Sequence, residues 1–294
     1  MIVITAPTGQ IGHQTLARLL DTAGGTPVRV IARDPARLSP QVHDRAEIVQ
    51  GSHGDADVVT KAFSGADSVL WLVPPNPHVD DNTAYYVDFT RPACDAIRSQ
   101  GVQRVVGVSS LGRTYGKPAG LLNPAFAMDE LIESTGVHYR SLAMPFFMDN
   151  LLGQAEAIRS QGTFFLPNTA DRPLATVATR DIAEAAAGLL LDDSWSGQGS
   201  VPVIGPDTLS PDGMAEVMSE VLARPVRFQQ VGYDAHRATM LGYGLSDAFA
   251  QDLVDMAAAQ NDGIYDAEQR ALETPGRTGF RQWCQEVLKP ALTG

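Results

Sequence analysis

The chain has 294 residues, enough to bury a large core as one α/β domain or a domain with an appended lobe. Its 44% hydrophobic and 19% charged residues are ordinary for a globular protein, and a formal charge of −12 speaks against a nucleic-acid partner, which needs a basic face. Cys94 and Cys284 fit no metal or redox spacing, strand residues begin at position 2 and no apolar run approaches about 20 residues, so a cytoplasmic protein without membrane contact is expected.

Ile2-Val3-Ile4 reads as a strand buried on both faces of a parallel sheet. Thr8-Gly9-Gln10-Ile11-Gly12 then turns the chain into helical spacing at Ile11, Leu16, Leu19 and Leu20. Strand, glycine turn and helix together make an anion-binding unit, because the first helical N–H groups have no partner and the dipole favours negative charge. Gly9 would let a pyrophosphate approach the backbone, and Gly12 would let the helix pack closely on the sheet. Ala6 stands where the first glycine of G-x-G-x-x-G belongs. The pattern is reduced to G-x-x-G, and an ordinary βα turn remains the alternative.

Val28-Arg29-Val30-Ile31-Ala32 is the expected second strand. About 20 residues past the glycines, where an acid would accept from a ribose 2′-hydroxyl, the chain has Arg33. A guanidinium there suits a 2′-phosphate and favours NADP over NAD; the competing reading is a solvated pair with Asp34. A third strand spans residues 46–51, with His53 a surface residue of its exit loop, and a helix follows over 57–63. The fourth strand, Asp67 to Val73, is stopped by Pro74-Pro75-Asn76-Pro77. Ligands sit at the carboxyl edge of open α/β sheets, so Val73 and Pro74 are candidates to pack on the nucleotide, or else form a merely structural turn. A helix over 90–100, a strand over 102–108 ending in Ser109-Ser110, a helix over 124–134 and a strand over 137–142 complete the alternation. Residues 1–150 are thus expected to form an α/β doubly wound parallel sheet of Rossmann type.

Beyond Pro145 the rhythm breaks. Phe146 to Leu152 is expected to start a helix, Thr163 to Pro167 a short strand, and 181–191 an amphipathic helix, with Val201 to Gly205 returning to the sheet. Helices follow over 212–222, 233–241, 246–260 and 279–287. Residues 175–205 would complete the sheet, while 151–294 would mainly form a small helical C-terminal substrate lobe over the nucleotide crevice.

Taken in order, Ile4-Thr5-Ala6-Pro7-Thr8-Gly9-Gln10-Ile11-Gly12, Ile31-Ala32-Arg33-Asp34-Pro35, Val108-Ser109-Ser110, Pro145-Phe146-Phe147-Met148-Asp149-Asn150, Asp181-Ile182-Ala183 and Gly276-Arg277-Thr278-Gly279-Phe280 resemble the NmrA-like branch of the atypical short-chain dehydrogenase/reductase superfamily over nearly the whole chain. That branch holds NADPH-dependent quinone- and dye-reducing enzymes and redox-sensing regulators. The resemblance implies that Thr8, Gly9, Gln10 and Ile11 contact the pyrophosphate, Arg33 the 2′-phosphate, and Val73 and Pro74 the ribose or nicotinamide side. Phe146, Phe147 and Asn150 would then lie near the nicotinamide or the substrate mouth. The sequence departs from that pattern at Ala6-Pro7, at Ser52, where relatives often carry an acid, and at Ala143-Met144, where they often carry Arg-Pro.

The parent superfamily protonates its substrate with a Tyr whose pKa is lowered by a Lys four residues on. The three lysines here, Lys61, Lys117 and Lys289, are preceded at that spacing by Asp57, Arg113 and Gln285. Tyr115 lies in the loop after the fifth strand and is the remaining candidate acid, while Ser109 is placed to bond a carbonyl or the nicotinamide amide, or simply to cap its strand. A reductase of quinone, enone or iminium type needs mainly orientation and a dry pocket, with water as proton source. The six histidines show no metal-ligand spacing, and Gly107 to Gly112 lacks the second glycine of a nucleophile elbow. The leading expectation is an NADPH-dependent reductase of a small apolar molecule. A catalytically silent NADP(H) sensor with a protein partner is the alternative, and a homo-oligomer is compatible with either.

Overall fold

The computed structural model describes residues 1–22, 25–270 and 276–293. In chain order the first half runs β1 (Ile2–Ile4), α1 (Gln10–Asp21), β2 (Val28–Ala32), α2 (Pro40–Arg45), β3 (Ala46–Gln50), α3 (Ala56–Phe63), β4 (Ser68–Trp71), α4 (Asn82–Gln100), β5 (Arg104–Ser110), α5 (Asn123–Glu133) and β6 (His138–Met144). The second half runs β7 (Phe146–Phe147), α6 (Ala155–Gln161), β8 (Thr163–Leu166), β9 (Leu174–Val177), α7 (Thr179–Leu191), β10 (Gln198–Pro202), β11 (Thr208–Leu209), α8 (Pro211–Leu222) and β12 (Arg227–Gln230). Helices α9 (Tyr233–Gly242), α10 (Asp247–Asn261), α11 (Asp266–Arg270), α12 (Phe280–Trp283) and α13 (Lys289–Thr293) end it.

Seven strands form one parallel sheet in the order β10-β6-β5-β4-β1-β2-β3. The strand order reverses beside β1, whose neighbours are β2 and β4, so the crevice that binds ligands in such sheets opens at the carboxyl end of β1. Residues of β1, β2 and β4 are buried throughout, which explains their mainly apolar runs; Arg29 of β2 is buried with its guanidinium paired to Glu47. Ile4, Leu16, Leu70, Leu142 and Ile182 pack on one face of the sheet, under α1 and α7. Val3, Phe63, Trp71, Met128 and Tyr139 pack on the other, under α3, α4 and α5. Helix α7 and strand β10 therefore complete the sheet from the second half of the chain, as the sequence pattern requires.

Three local expectations are corrected. Phe146-Phe147 does not begin a helix: it pairs in parallel with Thr176-Val177, and a 3-10 segment over Met148–Gln154 follows. A β-favouring aromatic pair finds a strand partner that local spacing does not announce. Helix α4 begins at Asn82, with Asp81 Oδ1 accepting from Ala84 N at 2.8 Å, and carries Pro92 within it. Its extra turns are held by Phe89, which packs with the aromatic side chains of Trp71 and His53, and by Tyr85, which packs on Phe89. The last expected helix is interrupted by a π-helical turn over Cys284–Leu288.

A third core, with Met148, Phe164, Met214, Phe280 and Trp283, fills the lobe. Polar clasps join lobe to sheet. Asp149 accepts from Thr179 N and Oγ1 at 3.0 and 2.9 Å, and Asp181 accepts from Thr278 N and Oγ1 at 2.9 and 2.7 Å. No helix among the described residues is long and apolar enough to cross a membrane.

Candidate functional site

The turn after β1 is built around a short approach between backbones. Ala6 adopts φ +47°, the left-handed conformation that the missing first glycine would take at no steric cost. A Cβ on Gly12 would stand 2.2 Å from the Ala6 carbonyl oxygen, so only glycine lets α1 start this close to the strand. Gly9 is different. A Cβ there would meet nothing nearer than the Ala6 oxygen at 3.4 Å, so the protein's own packing does not require the glycine. Gly9 caps α1 without a side-chain hydrogen bond, and the first turn carries no acid. The leading N–H groups of α1 therefore face an open, uncapped mouth, which suits a diphosphate.

Thr8, Gly9 and Gln10 are exposed on this turn, and Ile11 is buried beneath it. Thr8 and Arg33 share a cavity of about 370 Å³ with Ala32, Asp34 and Arg37. Asp34 does not pair with Arg33: its Oδ1 accepts from Ala36 N at 3.1 Å, capping the short turn Pro35–Arg37. Among the described residues neither arginine has an ion-pair partner, which leaves two guanidinium groups free for one anion. Arg37 escaped the sequence reading. Its signal was its position one helical turn beyond Arg33.

His53 is corrected from surface to interior. It is 6% exposed, lies edge-on to Trp71 and Phe89, and donates from Nε2 to the Leu72 carbonyl at 3.0 Å. Burial, assisted by the positive charge of Arg33, pushes its pKa down to about 4, so the ring is neutral.

A second cavity, of about 300 Å³, opens where β4, β5 and β6 end. Ile11, Val73, Ser109, Phe146, Phe147 and Asn150 all line it, so the structure brings together the glycine turn, the fourth strand and the Phe-Phe segment. Pro74 is not on its wall, but its carbonyl accepts from Tyr85 at 3.1 Å while Leu72, Val73 and Pro75 line the space. From the lobe come Met256, whose spacing suits helix-face packing with a pocket lining as the lesser alternative, and Gln260 and Tyr265, which local patterning left unmarked as site residues. None of the lining residues is charged.

Ser109 is held from behind. Its Oγ donates to Asp129 Oδ2 at 2.7 Å, where Ser141 also donates at 2.8 Å, and Tyr139 donates to Asp129 Oδ1 at 2.5 Å. With its proton spent on Asp129, Ser109 offers the cavity lone pairs, the complement of an amide N–H. Tyr115 lies outside the lining set. Its hydroxyl donates to Asp262 Oδ2 at 2.6 Å, beside Lys117. Burial and the Asp262 carboxylate raise its pKa, and Asp262 holds its proton away from the cavity.

Comparison with known proteins agrees with this geometry. A family described as NAD(P)H-binding matches residues 7–193. A (4-alkanoyl-5-oxo-2,5-dihydrofuran-3-yl)methyl phosphate reductase of Streptomyces griseus is 28% identical over 290 residues, 97% of either chain. The NADPH complex of the quinone oxidoreductase QOR2 of Escherichia coli has a similar fold, with a TM-score of 0.82 at 22% identity over 98% of this chain and 99% of that one. NmrA, a negative transcriptional regulator, superposes with a TM-score of 0.71 at 14% identity, covering 98% of this chain and 95% of its own. The expected doubly wound fold is thereby borne out. The chain belongs to the NAD(P)H-binding family.

Proposed function

We propose that this protein is an NADPH-dependent reductase of small, neutral, apolar acceptors of quinone, enone or iminium type. One observation carries the reading. The uncharged cavity begins at Ile11, under the diphosphate turn, and ends among Phe146, Met256 and lobe side chains. A nicotinamide entering from that turn and an apolar acceptor entering from the lobe would share this uncharged space. The Streptomyces relative is named for a substrate with carbonyl groups on an unsaturated ring, and the Escherichia coli neighbour for quinones.

In this reading the N–H groups of Gln10, Ile11 and Gly12 hold the diphosphate, with Thr8 beside it. Arg33 and Arg37 hold the 2′-phosphate by charge-assisted hydrogen bonds. Ser109 accepts from the carboxamide, Val73 and the Pro74 segment pack on the ribose side, and Phe146, Phe147 and Asn150 border the substrate. The bound dinucleotide supplies the hydride, and residues 151–294 supply most of the substrate wall. Two buried, free cysteines, both with raised pKa, suit a reducing cytoplasm.

The test is NADPH consumption by purified protein with a panel of quinones, enones and iminium dyes, alongside calorimetry with NADPH and NADP⁺. Turnover with at least one acceptor is expected. Equal binding of both cofactor forms without turnover would favour the sensor, and no binding would remove both readings.

A further inference from the structure

Of the polar side chains on the cavity wall, Ser109, Ser110 and Gln260 have their protons committed, while among the described residues Tyr86 and Asn150 show no side-chain hydrogen bond. Ser109 donates to Asp129, and the single proton of Ser110 Oγ is directed to the carbonyls of Leu111 and Met144 at 3.0 and 3.3 Å. Gln260, from α10, accepts at Oε1 from Asn168 Nδ2 at 3.0 Å and donates from Nε2 to Tyr265 Oη at 3.2 Å. Asn168 and Gln260 are almost wholly buried, so the direction of this relay is set: Asn168 to Gln260 to Tyr265. Tyr265 sits beside Ser110 on the cavity wall, itself 4% exposed. Its oxygen receives a hydrogen bond from Gln260 and has the Ser110 hydroxyl as its other side-chain partner, and among the described residues no carbonyl or carboxylate takes its own proton.

Resting on the reductase reading, we propose that the Tyr265 hydroxyl donates a hydrogen bond, and then its proton, to the oxygen of a conjugated carbonyl substrate. Hydride arriving at the conjugated carbon forms the new C–H bond and drives the π pair toward the carbonyl oxygen. That oxygen takes the Tyr265 proton as an O–H bond forms, and solvent returns one proton to the phenolate. One hydride and one proton are consumed; substrate is reduced and NADPH oxidised. Burial raises the phenol to about 12, so Tyr265 enters each cycle protonated, as a donor and never as a base. The Gln260 amide stabilises the oxygen as its proton leaves. No local motif announces Tyr265, because Ser110 beside it and Asn168 behind Gln260 are remote in sequence.

The experiment compares wild type with Tyr265→Phe in the full chain, using 2-methyl-1,4-naphthoquinone, 2-cyclohexenone and a cationic triphenylmethane dye, which takes hydride at carbon and has no oxygen to protonate. The variant is expected to lose about 100-fold in kcat on the two carbonyl compounds, the scale of one general acid. Its dye rate should stay within about twofold and its NADPH affinity should be unchanged, since only one hydroxyl on the substrate side has been removed. An equal loss on dye and quinone, or loss of NADPH binding, would reduce Tyr265 to packing and overturn the proposal. Unchanged quinone and enone rates, or the same losses from Tyr86→Phe on the same cavity, would overturn it too. A wild type idle on all three acceptors would defeat the reductase reading, and this assignment with it.

Discussion

Gly12 faces the Ala6 carbonyl so closely that a methyl group on it would sit 2.2 Å from that oxygen, whereas the same methyl on Gly9 would find ordinary van der Waals distance at 3.4 Å. The two glycines therefore answer to different demands. Gly12→Ala forces α1 off the strand, and it should cost about 1–3 kcal/mol of stability along with cofactor affinity. Gly9→Ala should fold as wild type yet lose at least about tenfold in NADPH affinity, because its methyl projects into the diphosphate mouth. Thermal unfolding and calorimetry on both variants check this; a Gly9→Ala protein with full affinity would dismiss the diphosphate site. Ala6→Gly, which relieves a left-handed alanine, should leave stability the same or raise it by up to about 1 kcal/mol.

Arg33 and Arg37 flank one cavity and neither is engaged in an ion pair among the described residues. Removing either guanidinium should weaken NADPH by about 10- to 100-fold, the worth of a charge-assisted hydrogen bond, and leave NADH within about twofold. The double variant should bind the two cofactors equally. Titration of each dinucleotide decides it, and equal losses for NADPH and NADH would show that the arginines act on something other than the extra phosphate.

His53 makes folding depend on pH. Its folded pKa is about 4 against an ordinary 6.5, so between those values the unfolded chain binds more protons than the folded one. Stability is complete above about pH 6.5, falls as the pH drops through the interval, and stops falling from this cause below about 4; the ceiling is about 3 kcal/mol. Urea unfolding at pH 7.5 and pH 5 should show a markedly smaller pH difference in His53→Gln than in wild type. The substituted amide would still be able to donate to the Leu72 carbonyl, so parallel pH curves for the two proteins would reject His53 as the titrating group.

Tyr115 is tied to Asp262 and stands outside the cavity wall. Tyr115→Phe should change kcat by less than about twofold and stability by under about 1 kcal/mol, since the lost bond is at the surface. Steady-state kinetics on the same acceptor panel tests this. A collapse in kcat with intact NADPH binding would return the catalytic assignment to Tyr115.

How far the chain could be read in advance differs from residue to residue. Ile2-Val3-Ile4 and Val69-Leu70-Trp71 were legible because a strand covered on both faces is mainly apolar rather than alternating. Ser109 and Val73 were legible as site candidates because a parallel sheet delivers every strand's carboxyl end to one edge, whereas Phe146 was marked only by the family resemblance. His53 was misjudged because its loop is polar in sequence, and only the aromatic side chains of Trp71 and Phe89, from other elements, bury it.

The sequence by itself determined the doubly wound sheet, the uncapped glycine turn and the cation after the second strand, since each depends on hydrophobic period, backbone freedom or charge over a few neighbouring residues. Only the tertiary structure decided that Ala6 takes the left-handed conformation beside Gly12, that Asp129 turns the proton of Ser109 away from the cavity, and that Gln260 and Tyr265 reach the ends of β5 and β6. Those relationships join segments remote in the chain. They exist because burial brings polar groups together and obliges each to find a partner, which no local pattern records.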